Sequence, residues 1–380
     1  MPSQTILSLL LCLSLAAKLS LAQEVNPSRE APGLWSKSKA RDWFELQPWM
    51  VGCNYIPSDA VNQLEMWQAE TFNLDTIDRE LGYAEKLGFN SVRVFLHDML
   101  WLQDGPGLLQ RIDEFLALAD KHHIRVMLVL FDSCWNPAPK LGKQPDPQPS
   151  LYNSGWVQSP GYSVLKDPIA YPHLKEYVIG IIERFAEDPR IIAWDVWNEP
   201  DNTDAGASSR PGMEPGNKST LVNAILPDAF AWARSAKPKQ PLTSAIWRQA
   251  DNISSFGATK SIQLANCDIV SFHCYGDHVM MQKCIDRLAT FERPMLCTEF
   301  LARTNKSVFD PHLAIMKTNK VGAFCWGFVR GKTQSIYPWD SWKQKYRSEP
   351  KVWFQDVLDR DGKPYSDAEV AYIRSLTGTP

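Results

Sequence analysis

The sequence predicts an α/β protein: a single (β/α)8 barrel, or TIM barrel, in which eight parallel strands are surrounded by helices. Three observations predict this fold. Eight apolar runs of strand length recur along the 380 residues, helical patterns separate most of them, and no internal repeat interrupts the alternation. Each helix would return the chain to the start of the next strand, which makes neighbouring strands parallel and favours a closed barrel.

The predicted elements follow in chain order. The eight strands span residues 49–55, 91–97, 125–132, 191–198, 242–247, 269–275, 295–300 and 322–329. The regular helices span residues 74–87, 108–122, 172–185, 220–235, 279–291 and 309–319. A further helix at 253–265 is the least regular, because it contains a glycine and has little periodicity. More helix is expected at 352–358 and 367–376, and residues 23–48 form an N-terminal extension before the barrel domain, 49–380.

Two connections, after the third and fourth strands, are longer than ordinary strand–helix loops. Residues 133–170 contain five prolines between positions 137 and 149, followed by Tyr152, Trp156 and Tyr162. Residues 201–219 are rich in Gly, Ser and Asp. In a barrel of this kind such segments lie over the C-terminal rim, where active sites are built. The aromatic segment would wall off one end of a cleft, which favours an enzyme that acts on chain ends or on short chains.

Composition and motifs exclude several classes of protein. The formal net charge is −3 at pH 7, so the chain lacks the basic excess of proteins that bind nucleic acid or anionic membranes. It has no phosphate-binding glycine loop, no dinucleotide fingerprint and no nucleophilic-serine motif, and its seven histidines lack zinc-site spacing. We therefore expect no cofactor, no metal and no nucleic-acid partner, and we expect a monomer.

The first 22 residues indicate export. Residues 6–17 are almost purely apolar, and Ser20-Leu21-Ala22 is a small-x-small cleavage site. We expect a signal peptide over residues 1–22, cleaved near Ala22, and a secreted or periplasmic mature chain. An uncleaved anchor is the alternative, because no positive charge precedes the apolar run. No later run is long enough to span a membrane. Seven cysteines would remain, an odd number that leaves at least one unpaired.

Two glutamates follow apolar runs of strand length and are the candidate catalytic residues. Glu199 lies in the sequence Trp-Asn-Glu-Pro and Glu299 in Cys-Thr-Glu-Phe. One carboxyl can donate a proton to a leaving oxygen while the other attacks a sugar carbon, which is the two-carboxylate chemistry of glycoside hydrolysis. Asn198 and Glu199 are neighbours, so a regular strand would direct them to opposite faces. Both can face one site only if the strand ends or bulges there, and Pro200 fits such an interruption.

Several polar and aromatic residues are candidates for substrate binding. Arg93 and His97 share one face of the second strand, and His273 and Tyr275 share one face of the sixth. Tryptophan faces pair well with the apolar faces of pyranose rings, and the indole N–H can meet a hydroxyl. The candidate substrate-binding residues are Arg93, His97, Trp135, Asn198, His273, Tyr275 and Trp326.

Together these positions resemble the clan A retaining glycoside hydrolases of the family 5 type. The resemblance rests on Asn-Glu-Pro at the end of the fourth strand, Glu299 at the end of the seventh, His-x-Tyr closing the sixth, Arg93 in the second and Trp326 in the eighth. It covers nearly the whole mature chain. The resemblance implies hydrolysis of β-linked glucan, mannan or xylan with retention, with Glu299 as the nucleophile, Glu199 as the acid/base and Trp326 as the floor under the sugar that is cut.

The proposed chemistry also leads to an expectation about the pKa values of the two carboxyls. Arg93 and the Tyr275 hydroxyl should hold down the pKa of Glu299, while burial or the charge on Glu299 should raise the pKa of Glu199. Two other functions stay open at this stage. One is a transglycosylase with the same residues, in which a second sugar replaces water. The other is a carbohydrate-binding barrel without turnover, which the intact set of polar site residues disfavours.

Overall fold

The computed structural model describes residues 31–203, 216–248, 250–252 and 256–378, so the predicted signal peptide lies outside the described residues, as does most of the connection at 201–219. Eight parallel strands form one sheet in the order β5-β4-β3-β2-β1-β8-β7-β6. They are β1 Val51–Asn54, β2 Ser91–Phe95, β3 Arg125–Val129, β4 Ile191–Asp195, β5 Leu242–Thr243, β6 Val270–His273, β7 Met295–Phe300 and β8 Val321–Cys325.

The sheet closes into a barrel between β5 and β6. The Ile246 N–H donates to the Ser271 carbonyl at 3.0 Å, and the His273 N–H donates to the Ile246 carbonyl at 3.0 Å. Every strand pair in the sheet is parallel, as the strand–helix alternation requires. The predicted (β/α)8 barrel is therefore confirmed.

Helices surround the sheet. In the described part of the chain they are α1 Lys37–Glu45, α2 Gln63–Trp67, α3 Leu74–Lys86, α4 Asp98–Lys121, α5 Tyr162–Leu165, α6 Tyr171–Phe185, α7 Lys218–Ser235, α8 Ala258–Asn266, α9 His278–Ala289, α10 Phe309–Thr318 and α11 Asp367–Thr377. Several begin at a capping side chain that accepts a backbone N–H: Asn73 caps α3 and Asp277 caps α9. None of these helices is both long and apolar enough to cross a bilayer.

Each of the eight predicted strands is present, but the helix predicted at 352–358 is wrong. That segment is irregular and pairs with the chain that follows β8. The N–H groups of Val357 and Leu358 both donate to the Phe328 carbonyl at 2.9 Å, and the Phe354 N–H donates to the Ile336 carbonyl at 2.9 Å. These hydrogen bonds to the chain after β8 pair the backbone N–H groups of the segment. Its apolar residues are therefore buried without helix formation.

The barrel interior is divided into an apolar lower layer and a polar upper layer. The lower layer is a cluster of buried side chains from several strands, which Trp43 and Phe44 of α1 cover from below. The members of this cluster are Met50, Met127, Ile192, Ala193, Ile269, Leu296 and Phe324. The main core packs between the sheet and the helices. Polar groups are therefore concentrated at the C-terminal ends of the strands.

Close packing of strands requires one glycine. A Cβ atom at Gly52 of β1 would lie 1.6 Å from the Ser91 carbonyl oxygen of β2, so no larger residue fits at this position. The contact holds β1 and β2 in register beside Asn54 and Arg93, which are Cα partners. Both of these side chains enter the polar layer described below.

Candidate active site

A fully buried arginine organises the polar layer. Arg93, from β2, donates through Nε and Nη2 to Asp195 Oδ2 at 3.1 and 2.7 Å. Its remaining bonds reach Asn54 Oδ1 at 2.8 Å, Asn198 Oδ1 at 2.6 Å and Glu299 Oε1 at 2.9 Å. A buried guanidinium is stable only with such paired and hydrogen-bonded partners. The network fixes side chains from β1, β4 and β7 around one point.

Glu199 lies just beyond β4 in a backbone conformation that is uncommon for a residue with a side chain. Its φ is +45°, in the left-handed region, which costs roughly 1 kcal/mol. The Asn198 N–H donates to the Phe131 carbonyl at 2.8 Å, and the Glu199 N–H donates to the Ala245 carbonyl at 3.2 Å. Bonds to both neighbouring connections hold this turn. It is the interruption that lets Asn198 and Glu199 face the same site.

Neutral groups make the hydrogen-bond contacts of the Glu199 carboxyl. Its Oε1 lies 2.5 Å from His273 Nδ1. Its Oε2 accepts from Asn202 Nδ2 at 2.5 Å and from the Cys134 thiol at 3.1 Å. The side chain is only 6% exposed, so these contacts replace almost all of its hydration.

A charged group contacts the Glu299 carboxyl, at the end of β7. Its Oε1 accepts from Arg93, and its Oε2 accepts from the Tyr275 hydroxyl at 2.6 Å. His273 Nδ1 lies 3.4 Å from the same Oε2. One oxygen of Glu199, one of Glu299 and the His273 nitrogen all lie within 4.8 Å of one another. We call Glu199 and Glu299 the carboxyl pair. The nearest oxygens of the pair are therefore closer than the roughly 6.5–9.5 Å between the carboxyls of inverting glycosidases and nearer to the roughly 5–5.5 Å of retaining ones.

Burial controls the proton affinity of the carboxyl pair. It raises the pKa of Glu199 to about 7 and that of Glu299 to about 7. Arg93 and Tyr275 contact Glu299 as expected and lower its pKa, but desolvation outweighs them, so the net shift is upward. Burial also lowers the pKa of His273 to about 4, so this imidazole is neutral between the two carboxyls at neutral pH.

Among the described residues, these three side chains also form a set of ligand atoms that a metal ion could bind. Glu199 and Glu299 supply carboxylate oxygens, and His273 supplies Nδ1. Arg93 already places a positive charge 2.9 Å from Glu299, which opposes a second cation at this position.

The structure places the predicted tryptophans at different depths. Trp326 follows β8, is 9% exposed and packs edge-to-face against Phe95 and Trp156, with ring centroids 5.7 and 5.5 Å apart. Trp135 is partly buried and stacks on Trp342 with centroids 5.2 Å apart. Trp326 thus borders the polar layer, while Trp135 belongs to the rim.

His97 is not brought into contact with the carboxyl pair. Its ring is fully buried, and its Nδ1 accepts the Met99 N–H at 3.2 Å as the N-cap of α4. Its other neighbours include Asp98, whose Oδ1 lies 3.2 Å from His97 Nδ1. The position is that of a capping residue at the start of a helix.

Sequence reasoning missed four residues that contact the site. Asn54 and Asp195 are polar residues in otherwise apolar strands, and a buried arginine needs such partners, so a signal for them was present in the sequence. Cys134 and Asn202 lie in connections after β3 and β4. The sequence has no periodic pattern there, and their contacts with Glu199 depend on the path of each loop.

The long connection after β3 meets the chain after β8 across the rim. The Asn153 N–H donates to the Thr333 carbonyl at 2.7 Å, and the Trp342 indole donates to the Tyr152 carbonyl at 2.9 Å. Gln334 Nε2 donates to the carbonyl of residue 148 at 2.6 Å. We call residues 133–161 and 331–342 the rim wall. Because β2 and β1 lie between β3 and β8 in the sheet, the rim wall spans that side of the barrel mouth.

A family comparison agrees with this geometry. The family model described as Cellulase (glycosyl hydrolase family 5) matches residues 58–353, which is more than half of the chain. No curated protein sequence matches the chain at a significant level.

Solved structures share the fold at low sequence identity. The exo-β-1,4-mannosidase from Opitutaceae bacterium strain TAV5 is 18% identical with a TM-score of 0.58, over 87% of this chain and 60% of that one. A variant of GH5_18 from Streptomyces cattleya, in complex with Manβ1-4GlcNAc, is 13% identical with a TM-score of 0.55, over 87% and 80%. The endo-1,4-β-D-mannanase from Thermotoga petrophila RKU-1 is 14% identical with a TM-score of 0.53, over 87% and 99%. The chain thus spans less than two thirds of the first of these proteins.

Proposed function

Because the chain belongs to glycosyl hydrolase family 5, a family of retaining glycoside hydrolases, we propose that it is an exo-acting β-mannosidase. In this proposal the enzyme removes single terminal sugars from short β-linked chains by double displacement. The observation that carries double displacement is the buried carboxyl pair, with oxygens within 4.8 Å of each other and with a permanent cation in contact with only one member.

Glu299 is the proposed nucleophile. It must be ionised to attack, and Arg93 and Tyr275 both donate hydrogen bonds that favour its ionised form. Two buried carboxyls this close do not readily ionise together, so the pair keeps one proton over an intermediate pH range. The contacts of Arg93 favour Glu299 as the first to ionise, which leaves that proton on Glu199.

In the first step, Glu299 forms a bond to the anomeric carbon while the bond to the leaving oxygen breaks. Glu199 gives its proton to that oxygen, and the leaving group departs as an alcohol. The product is a glycosyl ester of Glu299. Esterification removes the negative charge of Glu299, so its repulsion of a charge on Glu199 disappears and Glu199 is stable as a carboxylate.

In the second step, Glu199 takes a proton from a water molecule, whose oxygen attacks the anomeric carbon. The ester bond to Glu299 breaks, and the carboxylate is restored. Two inversions give net retention. Arg93 holds the Oδ1 of Asn198, and the Nδ2 of Asn198 donates to Asp132 Oδ1 at 2.9 Å and to the sulfur of Cys134 at 3.4 Å. In this proposal Nδ2 exchanges its long bond to the sulfur for a bond to the sugar 2-hydroxyl. That contact is proposed to strengthen in the transition state.

The rim wall supports exo action. If the sugar that is cut lies on Trp326, it is next to Trp156, which packs against Trp326 and belongs to the rim wall. Trp156 is held in place by its indole bond to Asp132 Oδ2 at 2.7 Å. A chain that continued past this sugar would meet the wall, whereas the leaving group lies on the side of Glu199, which protonates its oxygen. One sugar therefore fits behind the cleaved bond.

Mannose is proposed on the basis of similarity alone. Two of the solved structures named above are a mannosidase and a mannanase, and a third holds a mannose-containing disaccharide. Export is proposed from the apolar pattern of residues 1–22. N-terminal sequencing of protein secreted by the native host should begin at Gln23; a chain that retains Met1 would contradict cleavage.

The test is product analysis with purified protein on β-1,4-linked hexasaccharides of mannose, glucose and xylose, each labelled at its reducing end, with Glu299→Gln as the control. We expect mannose and a labelled series that shortens by one sugar at a time. Labelled products of intermediate length from the start would contradict exo action. Release of glucose or xylose in preference to mannose would contradict the proposed sugar.

A further inference from the structure

The mechanism proposed above does not use Cys134, although its thiol contacts Glu199. The residue follows β3 and is 8% exposed. Its Sγ donates to Glu199 Oε2 at 3.1 Å and accepts from the Nδ2 atoms of Asn198 and Asn202, each at 3.4 Å. Its N–H donates to Asp132 Oδ1 at 3.1 Å. The thiol is thus at the centre of a small network that joins β3 to the turn after β4.

We propose that Cys134 is a positioning residue for Glu199: its thiol fixes Oε2 and so determines which carboxyl oxygen carries the proton that is transferred. The inference rests on the proposed role of Glu199 as acid/base. The two-carboxylate mechanism itself does not require this residue, which lies in the connection after β3.

The thiol acts as a donor and not as a nucleophile. Burial raises the pKa of Cys134 well above its ordinary value, and the nearby carboxyls of Asp132, Glu199 and Glu299 raise it further. A thiolate at this position would add a negative charge beside three acidic groups. The sulfur therefore keeps its proton, and the nearest strong acceptor is Glu199 Oε2.

Two donors on one oxygen leave the other oxygen for the proton. Glu199 Oε2 accepts from both Asn202 and Cys134, so its lone pairs are occupied. The proton of Glu199 is then on Oε1, which faces His273 and is on the side of Glu299. Loss of the thiol would let the carboxyl take its proton on either oxygen and would remove a bond that favours its ionised form.

Other ionisable groups also face Glu199, and they approach it from β2, β3, β6, β7 and the connection after β4. None of their contacts in the described residues replaces the thiol at Oε2. These groups are Arg93, Asp132, Asp201, His273, Tyr275 and Glu299. A substitution of Cys134 keeps all of them, so its effect can be measured separately.

The test compares Cys134→Ala and Cys134→Ser with wild type on aryl β-glycosides of the sugar that the enzyme releases. For Cys134→Ala we expect the basic limb of the kcat/KM profile to move to higher pH, because a lost donor to the ionised form raises the pKa of Glu199. We expect kcat/KM to fall roughly 10-fold on poor leaving groups and to change little for a dinitrophenyl leaving group, which needs no proton. Serine, a donor of similar shape, should restore both properties.

Cys53→Ala is the matched control, because it deletes another buried thiol, one that packs in the main core. It should leave the basic limb and the leaving-group dependence unchanged. A folded Cys134→Ala protein with wild-type values for both would overturn the proposal, as would a serine variant that behaves like alanine. If Glu199→Ala itself shows no dependence on the leaving group, the assignment of Glu199 fails, and with it the proposed function on which this inference rests.

Discussion

The ends of β4 and β7 each hold a buried glutamate, and the two differ in their partners. Glu199 and Glu299 are equally buried, with side chains 6% exposed, and each has a pKa raised to about 7 by burial. Glu299 contacts the guanidinium of Arg93 and the hydroxyl of Tyr275. Glu199 contacts a neutral imidazole, a thiol and an amide. Burial therefore raises the pKa of both carboxyls, and in the proposed mechanism the direct contact with Arg93 favours ionisation of Glu299 first.

In the proposed mechanism this difference gives the two glutamates different roles. A nucleophile must be an anion before the reaction begins, and a permanent cation favours that state. A general acid must give up its proton during the reaction, and neutral donors allow this without forcing early ionisation. The substitutions below test the comparison in order of the expected size of their effects.

The largest effect is expected for Glu299→Gln, which keeps the shape of the side chain and removes the nucleophile. We expect kcat to fall by roughly 10⁴-fold or more on every substrate, regardless of the leaving group, because no glycosyl ester can form. Steady-state rates on dinitrophenyl and alkyl glycosides measure this. If this variant kept normal rates on the dinitrophenyl substrate, Glu299 would not be the nucleophile.

Glu199→Ala should have a smaller and selective effect. We expect a loss of roughly 10²- to 10⁴-fold on poor leaving groups, because those need a proton. The first step on dinitrophenyl glycosides should stay close to wild type, so the glycosyl-enzyme should accumulate and produce a burst of dinitrophenol. Stopped-flow absorbance measures the burst. An equal loss on good and poor leaving groups would contradict the assignment of Glu199 as the acid.

Tyr275→Phe deletes one of the two donors that bond to Glu299 and not to Glu199. We expect kcat/KM to fall by roughly 100-fold, as for loss of a single preorganised donor. The acidic limb of the pH profile should move to higher pH, since removal of a bond to the ionised form raises the pKa of Glu299. The basic limb, set by Glu199, should move much less. Equal movement of both limbs would show that the phenol does not distinguish the two carboxyls.

The last expected effect is on stability and not on rate. The pKa of Glu199 is raised from 4.5 to about 7 in the folded protein, so the folded state binds this proton more tightly than the unfolded state. Burial of the carboxyl therefore costs stability that increases as pH rises from about 4.5 to about 7. Glu199→Gln removes a cost of roughly 3 kcal/mol at pH 8 and almost none at pH 4. Melting temperatures at the two pH values measure this; a variant that is equally stabilised at both would contradict the linkage.

Sequence patterns predicted the barrel well because strand runs and helical periods are local. The strand at 295–300 was predicted with its observed ends, Met295–Phe300, since a continuous buried run is bounded by a proline and a turn. The fifth strand was predicted over six residues and is only Leu242–Thr243. Its length depends on pairing with β4 and β6, which the local sequence does not encode.

Site residues on strands could be predicted, because alternate side chains of a strand share one face. Site residues on loops could not be predicted, because the course of a loop depends on tertiary contacts. Arg93, His273 and Tyr275 converge on the carboxyl pair as strand geometry requires. Cys134 and Asn202 reach Glu199 from loops whose course depends on tertiary contacts. The raised pKa of Glu299 was not predictable for a similar reason. The sequence indicates which partners are present, but it does not indicate how completely the fold removes water from the carboxyl, and this desolvation outweighs the contacts of Arg93 and Tyr275.

The central claim is that Glu299 becomes bonded to the sugar, and covalent trapping tests it most directly. The protein would be incubated with 2-deoxy-2-fluoro-β-glycosyl fluorides of mannose and glucose, digested, and the labelled peptide identified by mass spectrometry. We expect one added fluorosugar on Glu299, formed by wild type and by Tyr275→Phe but not by Glu299→Gln. A label on Glu199 would contradict the assignment of the two carboxyls. Turnover of the natural substrate without any trapped ester would contradict the double-displacement mechanism.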